Sequence, residues 1–491
     1  MSYTLGVDLG TSGVKALLLS ENGNVADIAR ENYSIDVPVK GYAEQNPKVW
    51  VEKTFKVIRD VLDNTGISPE SIESIAFSGQ MHGVVLLDEN YIPLRPAIIW
   101  SDQRSSRQVE YINNSIGKQK LGKLTSNPLF TGFYGVTLMW IKEKEPDVYK
   151  KARVALLPKD YLRFVFTGEI GTEVTDASGT GIFDVSMAKW SEYMVDFLGI
   201  KRELIPNCYK SNDVAGVVRE NVSEETRLKK GTKVVFGGAD HAMQALGTGV
   251  INPGVLAINI GSGGQIYSPV QSSTYDFKLR MHKFCNIVPG VWDVMGATLS
   301  AGLSLNWFVN NVLKLENYDV IERVGDNSSP GSDGLFFIPY IAGERTPHMD
   351  PNATGMFFGL ALKHDQADML RAVMEGVSYS FRECYEIFGK MGIKTSKLIT
   401  AGGGAKNRLW RQIIADMFEC EVYNIKASEE AALGAAMLAG VCVGVYSSYE
   451  DAVKTCVNIS DDVVSPCEEN FSKYREGFEV FKKMYRKSCL V

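Results

Sequence analysis

Two short apolar runs, Leu5–Leu9 and Val14–Leu19, flank the small polar cluster Gly10-Thr11-Ser12-Gly13 near the start of the chain. Apolar runs of strand length joined by a Gly-containing link of a few residues predict a β-hairpin. The same pattern returns half a chain later. Residues Ala257–Ile266, AINIGSGGQI, align with Gly6–Lys15 without a gap: Val7 meets Ile258, Leu9 meets Ile260, Gly10 meets Gly261, Thr11 meets Ser262 and Gly13 meets Gly264. Asp8 meets Asn259, so the polar position is kept and its charge is not. A strand–turn–strand unit repeated at this distance predicts two related domains, each presenting a turn to a shared cleft.

Elsewhere the pattern alternates between short apolar runs and helical periodicity. Val25–Ala29 predicts a third strand of the first sheet. Asn46-Pro47 opens a helix whose apolar face is Val49, Trp50, Thr54, Val57, Ile58, Val61 and Leu62. Ile72–Phe77, Val84–Leu87, a run at Ile98-Ile99 and Lys233–Phe236 predict strands; Pro158 and Ala242–Gly247 predict helix starts. The stretch Gly247–Gly254, with Asn252-Pro253, reads as the connection between domains. After the second hairpin come helical stretches around Leu299–Leu313, Gln366–Phe388, Leu409–Phe418 and Ala431–Val445, with a strand at Lys397–Thr400. The expected class is α/β, with domains over 1–246 and 254–491.

Composition narrows the class further. A chain of 491 residues exceeds one ordinary core, and its 45% apolar and 22% charged content is that of a soluble globular protein. A net charge of −6 argues against a nucleic-acid backbone as partner. The longest apolar run, Ala431–Val445, is shorter than the roughly 20 residues a bilayer span needs, and Tyr3 leads almost directly into the first strand. The expected setting is the cytoplasm, without a membrane. Eight cysteines, at 208, 285, 384, 420, 442, 456, 467 and 489, show no C-x-x-C and no ligand spacing with His, and read as reduced thiols.

Candidate chemistry gathers at strand ends. Asp8 closes an otherwise apolar strand; a buried carboxylate there needs a cation or a donor, whereas a solvated one needs neither. The backbone N–H groups and hydroxyls of Gly10, Thr11, Ser12 and Gly13 suit a phosphate. Ser78-Gly79-Gln80-Met81-His82-Gly83 reads either as a cleft-lining turn or as a plain turn capped by His82. In Trp100-Ser101-Asp102-Gln103-Arg104, Asp102 and Arg104 either pair with each other or meet a polyhydroxylated ligand. The small residues of Thr172–Phe183, with Asp176 and Ser178, suit packing beneath a site as well as catalysis. Gly237-Gly238 aims Asp240 from a helix start, where Asp also serves as an N-cap. Ala401-Gly402-Gly403-Gly404-Ala405-Lys406-Asn407, between strand and helix, suits a planar or phosphorylated ligand, although tight turns also need glycine.

Taken together, GVDLGTSGVK, SGQMHG, the Trp100/Asp102/Arg104 run, LPKDYL, GGADHA and GGGAKNRLWRQ resemble the FGGY family of carbohydrate kinases in order and over nearly the whole chain. SGQMHG (Ser78–Gly83), the most specific of them, resembles the substrate motif of that family's xylulokinase branch. The resemblance implies two ribonuclease-H-like domains of the actin/hexokinase/Hsp70 ATPase type with a central cleft, and ATP-dependent phosphorylation of a sugar hydroxyl. The N-terminal domain would bind mainly sugar and the C-terminal domain mainly ATP, with Mg²⁺ as cofactor, D-xylulose as first substrate and a homodimer as possible assembly. By the same resemblance Asp240 is the general base, and Asp8 is the catalytic Mg-phosphate residue with Thr11, Ser12 and Lys15 beside it. Met81, His82, Trp100, Asp102, Arg104, Asp240 and His241 are sugar contacts. Gly261, Ser262 and Gly263 form the second phosphate loop, and Gly403, Gly404 and Asn407 the adenosine shelf.

The chain departs from the xylulokinase pattern where His241, not Asn, follows the base. That position can touch the sugar in relatives, so the departure bears on which ketose is taken and not on the reaction class. An imidazole of ordinary pKa, about 6.5, would change charge beside Asp240 in the working range, or helix geometry would point it away, since adjacent residues do not share a helix face. Other readings are a kinase for another ketose or polyol, such as ribulose, and a non-catalytic nucleotide-dependent sugar sensor on the same fold.

Overall fold

The structure, a computed structural model, describes residues 1–272, 274–314, 320–426 and 429–488. Each half is built on one twisted sheet. The first runs, edge to edge, Val214–Val217, Lys233–Val235, Ile72–Gly79, Tyr3–Leu9, Gly13–Ser20 and Val25–Asn32, with Gly238–Ala239 added to the end of Ile72–Gly79. The second runs His282–Cys285, Trp292–Thr298, Gly264–Val270, Val255–Ile260, Lys397–Ala401 and Val422–Asn424.

In both sheets the repeated hairpin is antiparallel, and its first strand pairs in parallel with the next strand on its other side. The register departs from the gapless alignment by one residue, because the second turn is tighter: Leu9 pairs with Val14 across Gly10–Gly13, whereas Ile260 pairs with Gly264 across Gly261–Gly263. Asp8 lies opposite Lys15 and beside Ser78, while Asn259 lies opposite Gln265 and beside Ala401. Two α/β units with a cleft between them form the architecture expected of the actin/hexokinase/Hsp70 ATPase class.

Local sequence accounts for the main elements. Asn46 caps the helix Pro47–Thr65 by accepting from Lys48 N at 3.0 Å, and Gly66 closes it in the left-handed conformation. The apolar stripe Trp50, Thr54, Val57, Ile58, Val61 and Leu62 is buried against the first sheet. The long helix Gln366–Lys390 begins at a capping box made by Asp365 and Asp368.

Three expectations are corrected in detail. The run at Ile98-Ile99 supplies only a two-residue strand, Ala97–Ile98, because Trp100 already turns into the cleft wall. The helix expected from Leu299 starts at Gly302, where the N–H groups of Ala301, Gly302 and Leu303 cap the carbonyls of the preceding Gly261-Ser262 loop. It passes into a π-helical turn over Phe308–Leu313. Asp240 is the first residue of its helix, Asp240–Gly247, and not its N-cap; that position is Ala239.

A third core joins the halves. The helices Asp240–Gly247 and Glu430–Val443 lie between the sheets, with Met243, Leu246, Leu433 and Met437 packed against Leu17 and Ala76 on one side and Ala257 and Ile399 on the other. The helices touch backbone to backbone. A Cβ on Gly434 would overlap the carbonyl oxygen of Met243, and one on Gly247 would overlap that of Glu430. Gly6 of the first strand abuts Ala432 in the same way. The small residues of Ala431–Val445 thus serve close packing.

Among the described residues no helix is long and apolar enough to cross a membrane, and the seven described cysteines are unpaired. Cys489 lies outside the described residues.

Candidate active site

The end of the first strand is where buried charge collects. Asp8 is 7% exposed, and its Oδ1 accepts from Ser78 Oγ at 2.8 Å. Burial raises its pKa, opposed by the charge of Lys15. Of the two readings of Asp8, the structure has the buried one: its donor is Ser78, and Oδ2 is left for an incoming cation. The turn beyond it is held by its frame, since Gly10 N donates to Gly13 O at 3.0 Å, Tyr33 OH to Gly10 O at 2.6 Å and Gln45 Nε2 to Thr11 O at 2.7 Å. Thr11 Oγ1 accepts from the indole N–H of Trp100 at 2.8 Å, while Ser12 is exposed. Lys15 pairs with Glu429 at 2.5 Å, at the entry to the Glu430–Val443 helix.

Asp240 faces the same space. It is partly exposed into the cleft, Oδ1 accepts only the amide N–H of His241 at 2.7 Å, and Oδ2 is left over. Its surroundings push the pKa up to about 7, first through burial and then through the negative charge of Asp8. A carboxyl poised near neutrality beside a second carboxyl fits a general base. The peptide before it is pinned: Ala239 N donates to Thr175 Oγ1 at 2.9 Å, and Thr175 in turn donates to Glu173 Oε1 at 2.8 Å.

Met81 and His82 line the wall opposite. His82 adopts φ 73°, sparsely populated for a residue with a side chain. Two contacts hold it there: Nδ1 lies 2.6 Å from Gly179 O, and the ring stacks on Phe133 with centroids 4.0 Å apart. The carbonyl can only accept, so Nδ1 carries the proton and Nε2 keeps a lone pair for a ligand hydroxyl. Burial lowers the pKa to about 3, so the ring is neutral. Gly179 makes this possible, because a Cβ there would come within 3 Å of Met81 Cε and His82 Nδ1. The small residues of Thr172–Phe183 therefore pack beneath the site.

His241 is close but turned away from the carboxylate. Its ring is 3% exposed and lies 4.8 Å from Phe284, with Nδ1 3.3 Å from Met81 Sδ and Nε2 3.8 Å from Asp293. Burial holds the imidazole near pKa 3, which corrects the expectation of a charge change in the working range.

Asp102 and Arg104 take the structural alternative. Asp102 Oδ2 accepts from Ala43 N at 2.6 Å, Oδ1 from Arg104 N and Nε at 2.9 Å, and the guanidinium also meets Glu44 at 2.7 Å. The pair lies behind the cleft wall, both residues buried and bonded to each other, which is the structural one of the two readings. Trp100, from the same run, does line the cleft.

On the other side of the cleft a cavity of about 670 Å³ is lined by Gly261, Ser262, Gly403, Gly404 and Asn407, together with residues the motif reading missed: Gly302, Asn306 and Trp410. Gly403 is open, Gly404 packs on Ile260, and Asn407 caps the helix Arg408–Phe418 through Trp410 N at 2.8 Å. Gly402, at φ 83°, makes room for Asn259, so the uncharged copy of the Asp8 position supports this shelf. Gly263 faces the carbonyls of Thr298 and Leu299. The signal for Gly302 and Asn306 was the helix following the second hairpin, legible only once its N-terminus is seen against the loop.

The glycine turns also bear on the metal expectation. Among the described residues no three His, Cys, Asp or Glu groups cluster to hold a metal ion. Asp8 alone, buried and with a free oxygen, fits a Mg²⁺ that takes its remaining ligands from phosphate and water.

Comparison with known proteins agrees with this geometry. Residues 3–247 match the N-terminal domain, and residues 268–443 the C-terminal domain, of the FGGY family of carbohydrate kinases. A xylulose kinase of Lactococcus lactis subsp. lactis is 38% identical over 487 residues, covering 99% of this chain and 97% of the relative. A xylulose kinase of Bacillus subtilis is 36% identical over 485 residues, covering 99% and 97%. The solved structure of a ligand-bound xylulose kinase from Lactobacillus acidophilus superposes with a TM-score of 0.94 at 25% identity, covering 99% of this chain and 98% of that one.

Proposed function

The chain belongs to the FGGY family of carbohydrate kinases, and within that family we propose that it moves the γ-phosphoryl group of ATP to a ketopentose, D-xylulose first, giving D-xylulose 5-phosphate. Asp240 carries the reading. Its free oxygen opens into the cleft between the sugar-side pair Met81 and His82 and the phosphate-side Asp8. The sugar hydroxyl gives its proton to Asp240 as its oxygen attacks phosphorus and the bond to ADP breaks; the proton then leaves to water. His82 Nε2 accepts a sugar hydroxyl while the Met81 thioether covers a carbon face.

The turns at Thr11–Ser12 and Gly261–Gly263 face the phosphates, and the shelf at Gly403, Gly404 and Asn407 takes the adenosine. Lys15, tied to Glu429, tunes the field at Asp8. A Mg²⁺ bound at Asp8 would supply charge neutralisation to the phosphates. In this reading residues 1–246 carry mainly the sugar and 254–491 mainly the nucleotide. A neighbouring ketose or a polyol is the second reading, favoured by His241, whose buried Nε2 has no hydrogen-bond partner among the described residues.

Sugar-dependent ADP release across pentuloses, hexuloses and polyols tests both. D-Xylulose is expected to give the highest kcat/KM. A different best sugar overturns the substrate, and no release with any acceptor overturns the reaction.

A further inference from the structure

One cation in the cleft has a ring beside it but no acceptor. Among the described residues the guanidinium of Arg345 makes no hydrogen bond and no ion pair, although Glu344 precedes it in the chain. Glu344 is spent on the backbone: Oε1 accepts from Arg345 N at 2.6 Å and from Leu299 N at 3.2 Å. Burial also pushes that carboxyl up to about 8, so it leaves the positive charge largely uncompensated near neutral pH. An unpaired, half-buried guanidinium is costly in the free protein, and the cost is relieved only when an acceptor arrives.

Its position says what kind of acceptor. Arg345 belongs to the C-terminal half but reaches across the cleft, with its Cζ 4.9 Å from the ring centroid of Phe130 in the N-terminal half. There it lines a cavity of about 640 Å³ shared with Trp100, Gln103, Phe130 and Leu299. Its charge bears on His82 and on His282, which is buried with both ring nitrogens unpartnered. The charge that bears on Asp240 comes from Asp8. Arg345 therefore stands on the His82 side of the site, away from the carboxyl pair where the hydroxyl reacts. The cavity's other lining there is largely apolar, which strengthens a hydrogen bond to the guanidinium.

We propose that Arg345 is a specificity residue: it donates hydrogen bonds to an acceptor-only oxygen, a ketone carbonyl or a carboxylate, at the substrate end remote from the phosphorylated hydroxyl. The inference rests on the kinase reading above and names what that kinase selects. A guanidinium offers donors only, in a planar fork that matches a carbonyl or carboxylate oxygen better than a hydroxyl, which must turn its own proton aside. A polyol lacking the carbonyl leaves the fork poorly matched, so the site rejects it.

The test compares a ketopentose, the pentitol made by reducing its carbonyl, and the aldonate of equal length, with the parent enzyme, Arg345→Met and Arg345→Lys. Arg345→Met is expected to raise KM for the ketose by about tenfold or more and to narrow the ketose-to-pentitol ratio of kcat/KM, with KM for ATP changed less than about twofold. Arg345→Lys, which keeps the charge and most of the stem, recovers part of the loss. Calorimetric titration of the ketose into each protein should show the same order without turnover. An unchanged ketose-to-pentitol ratio in a folded Arg345→Met enzyme overturns the inference, as does a rise in KM for ATP equal to that for sugar. In both cases the parent's activity leaves the kinase reading standing. If the parent phosphorylates none of the three, the ketopentose reading fails and takes this one with it.

Discussion

The side chain of Asn127 exchanges two hydrogen bonds with the main chain of Lys283 across the cleft: Lys283 N donates to Oδ1 at 2.8 Å, and Nδ2 donates to Lys283 O at 2.7 Å. The strands His282–Cys285 and Trp292–Thr298 also donate to the N-terminal half, from Cys285 N to Ser178 Oγ at 3.0 Å, from Cys285 Sγ to Val185 O at 3.6 Å and from Trp292 Nε1 to Val185 O at 2.9 Å. On this face the halves are joined by these polar contacts and by Leu279, Cys285 and Trp292 packed into the N-terminal core, whereas at the paired helices they are joined by backbone packing. Cleft opening, with a hinge near Gly247–Gly254, is the expected motion, because the backbone packing at the helices holds the halves there.

Asn127→Ala should therefore shift the free protein toward the open state. The peptide groups of Lys283 would be left unpaired in the closed cleft but hydrated in the open one. Small-angle scattering of the unliganded variant should give a larger radius of gyration than the parent, and xylulose with a non-hydrolysable ATP analogue should bring the two together. Equal radii without ligand would remove the latch.

The helix crossing makes the opposite prediction, for stability. At Gly434 a methyl group meets a carbonyl of the partner helix, which cannot rotate aside. Gly434→Ala should cost about 3 kcal/mol or more in urea unfolding. Gly403→Ala is the control, because a Cβ there meets open space. It should unfold like the parent while raising KM for ATP, since the added carbon enters the shelf. If both variants unfold alike, the close crossing is not what holds the halves.

Much of this was legible along the chain. The repeated hairpin is present in both sheets, as its apolar alternation implied, but its second turn is one residue tighter than the gapless alignment, a difference that the glycine-rich turn hides. The strand-end clusters at Asp8, Met81-His82 and Asp240 meet in the cleft because each ends a neighbouring strand of one sheet. What stayed hidden depends on residues far apart in sequence. Asp102 and Arg104 could not be assigned without seeing Ala43 and Glu44 behind them. Thr175, which fixes the peptide before Asp240, lay in a stretch read only as packing. Asn127 and Arg345 act on the opposite half of the molecule, and nothing local points across a cleft.

Asp240 sets the expected pH dependence. Its pKa is raised to about 7, so the carboxylate that accepts the proton is lost as pH falls, and kcat/KM should decline below about pH 7. Part of the rise comes from Asp8, so Asp8→Asn should move this limb to lower pH in single-turnover experiments, even though the rate itself falls. Asp240→Asn should keep sugar binding and lose at least about 10²-fold in turnover. Near-normal turnover in that variant would reduce Asp240 to a helix residue with no part in the chemistry.

His241 should leave that limb where it is. The sequence places an imidazole next to the base, and at an ordinary pKa it would turn cationic at mildly acid pH, favour the carboxylate form of Asp240 and weaken its pull on the hydroxyl proton. In the structure that cation does not form. The ring is enclosed by Phe284, Met81 and Asp293, its pKa is held near 3 by burial, and its link to Asp240 is the backbone N–H rather than the imidazole. Asp293, the nearest carboxyl, is itself raised to about 7 by burial and is shared with Asn286 at 2.8 Å, so it gives the ring little reason to protonate. The charge on His241 therefore stays constant from about pH 5 upward, two units or so above its held value. What it offers is shape and a neutral nitrogen beside Met81, the residue proposed to cover a carbon face of the sugar. His241→Asn should give a kcat/KM profile whose acid limb coincides with the parent's while the order of preferred ketoses changes. Displacement of the limb by more than about half a unit would mean that the imidazole titrates in the working range after all and couples to the base.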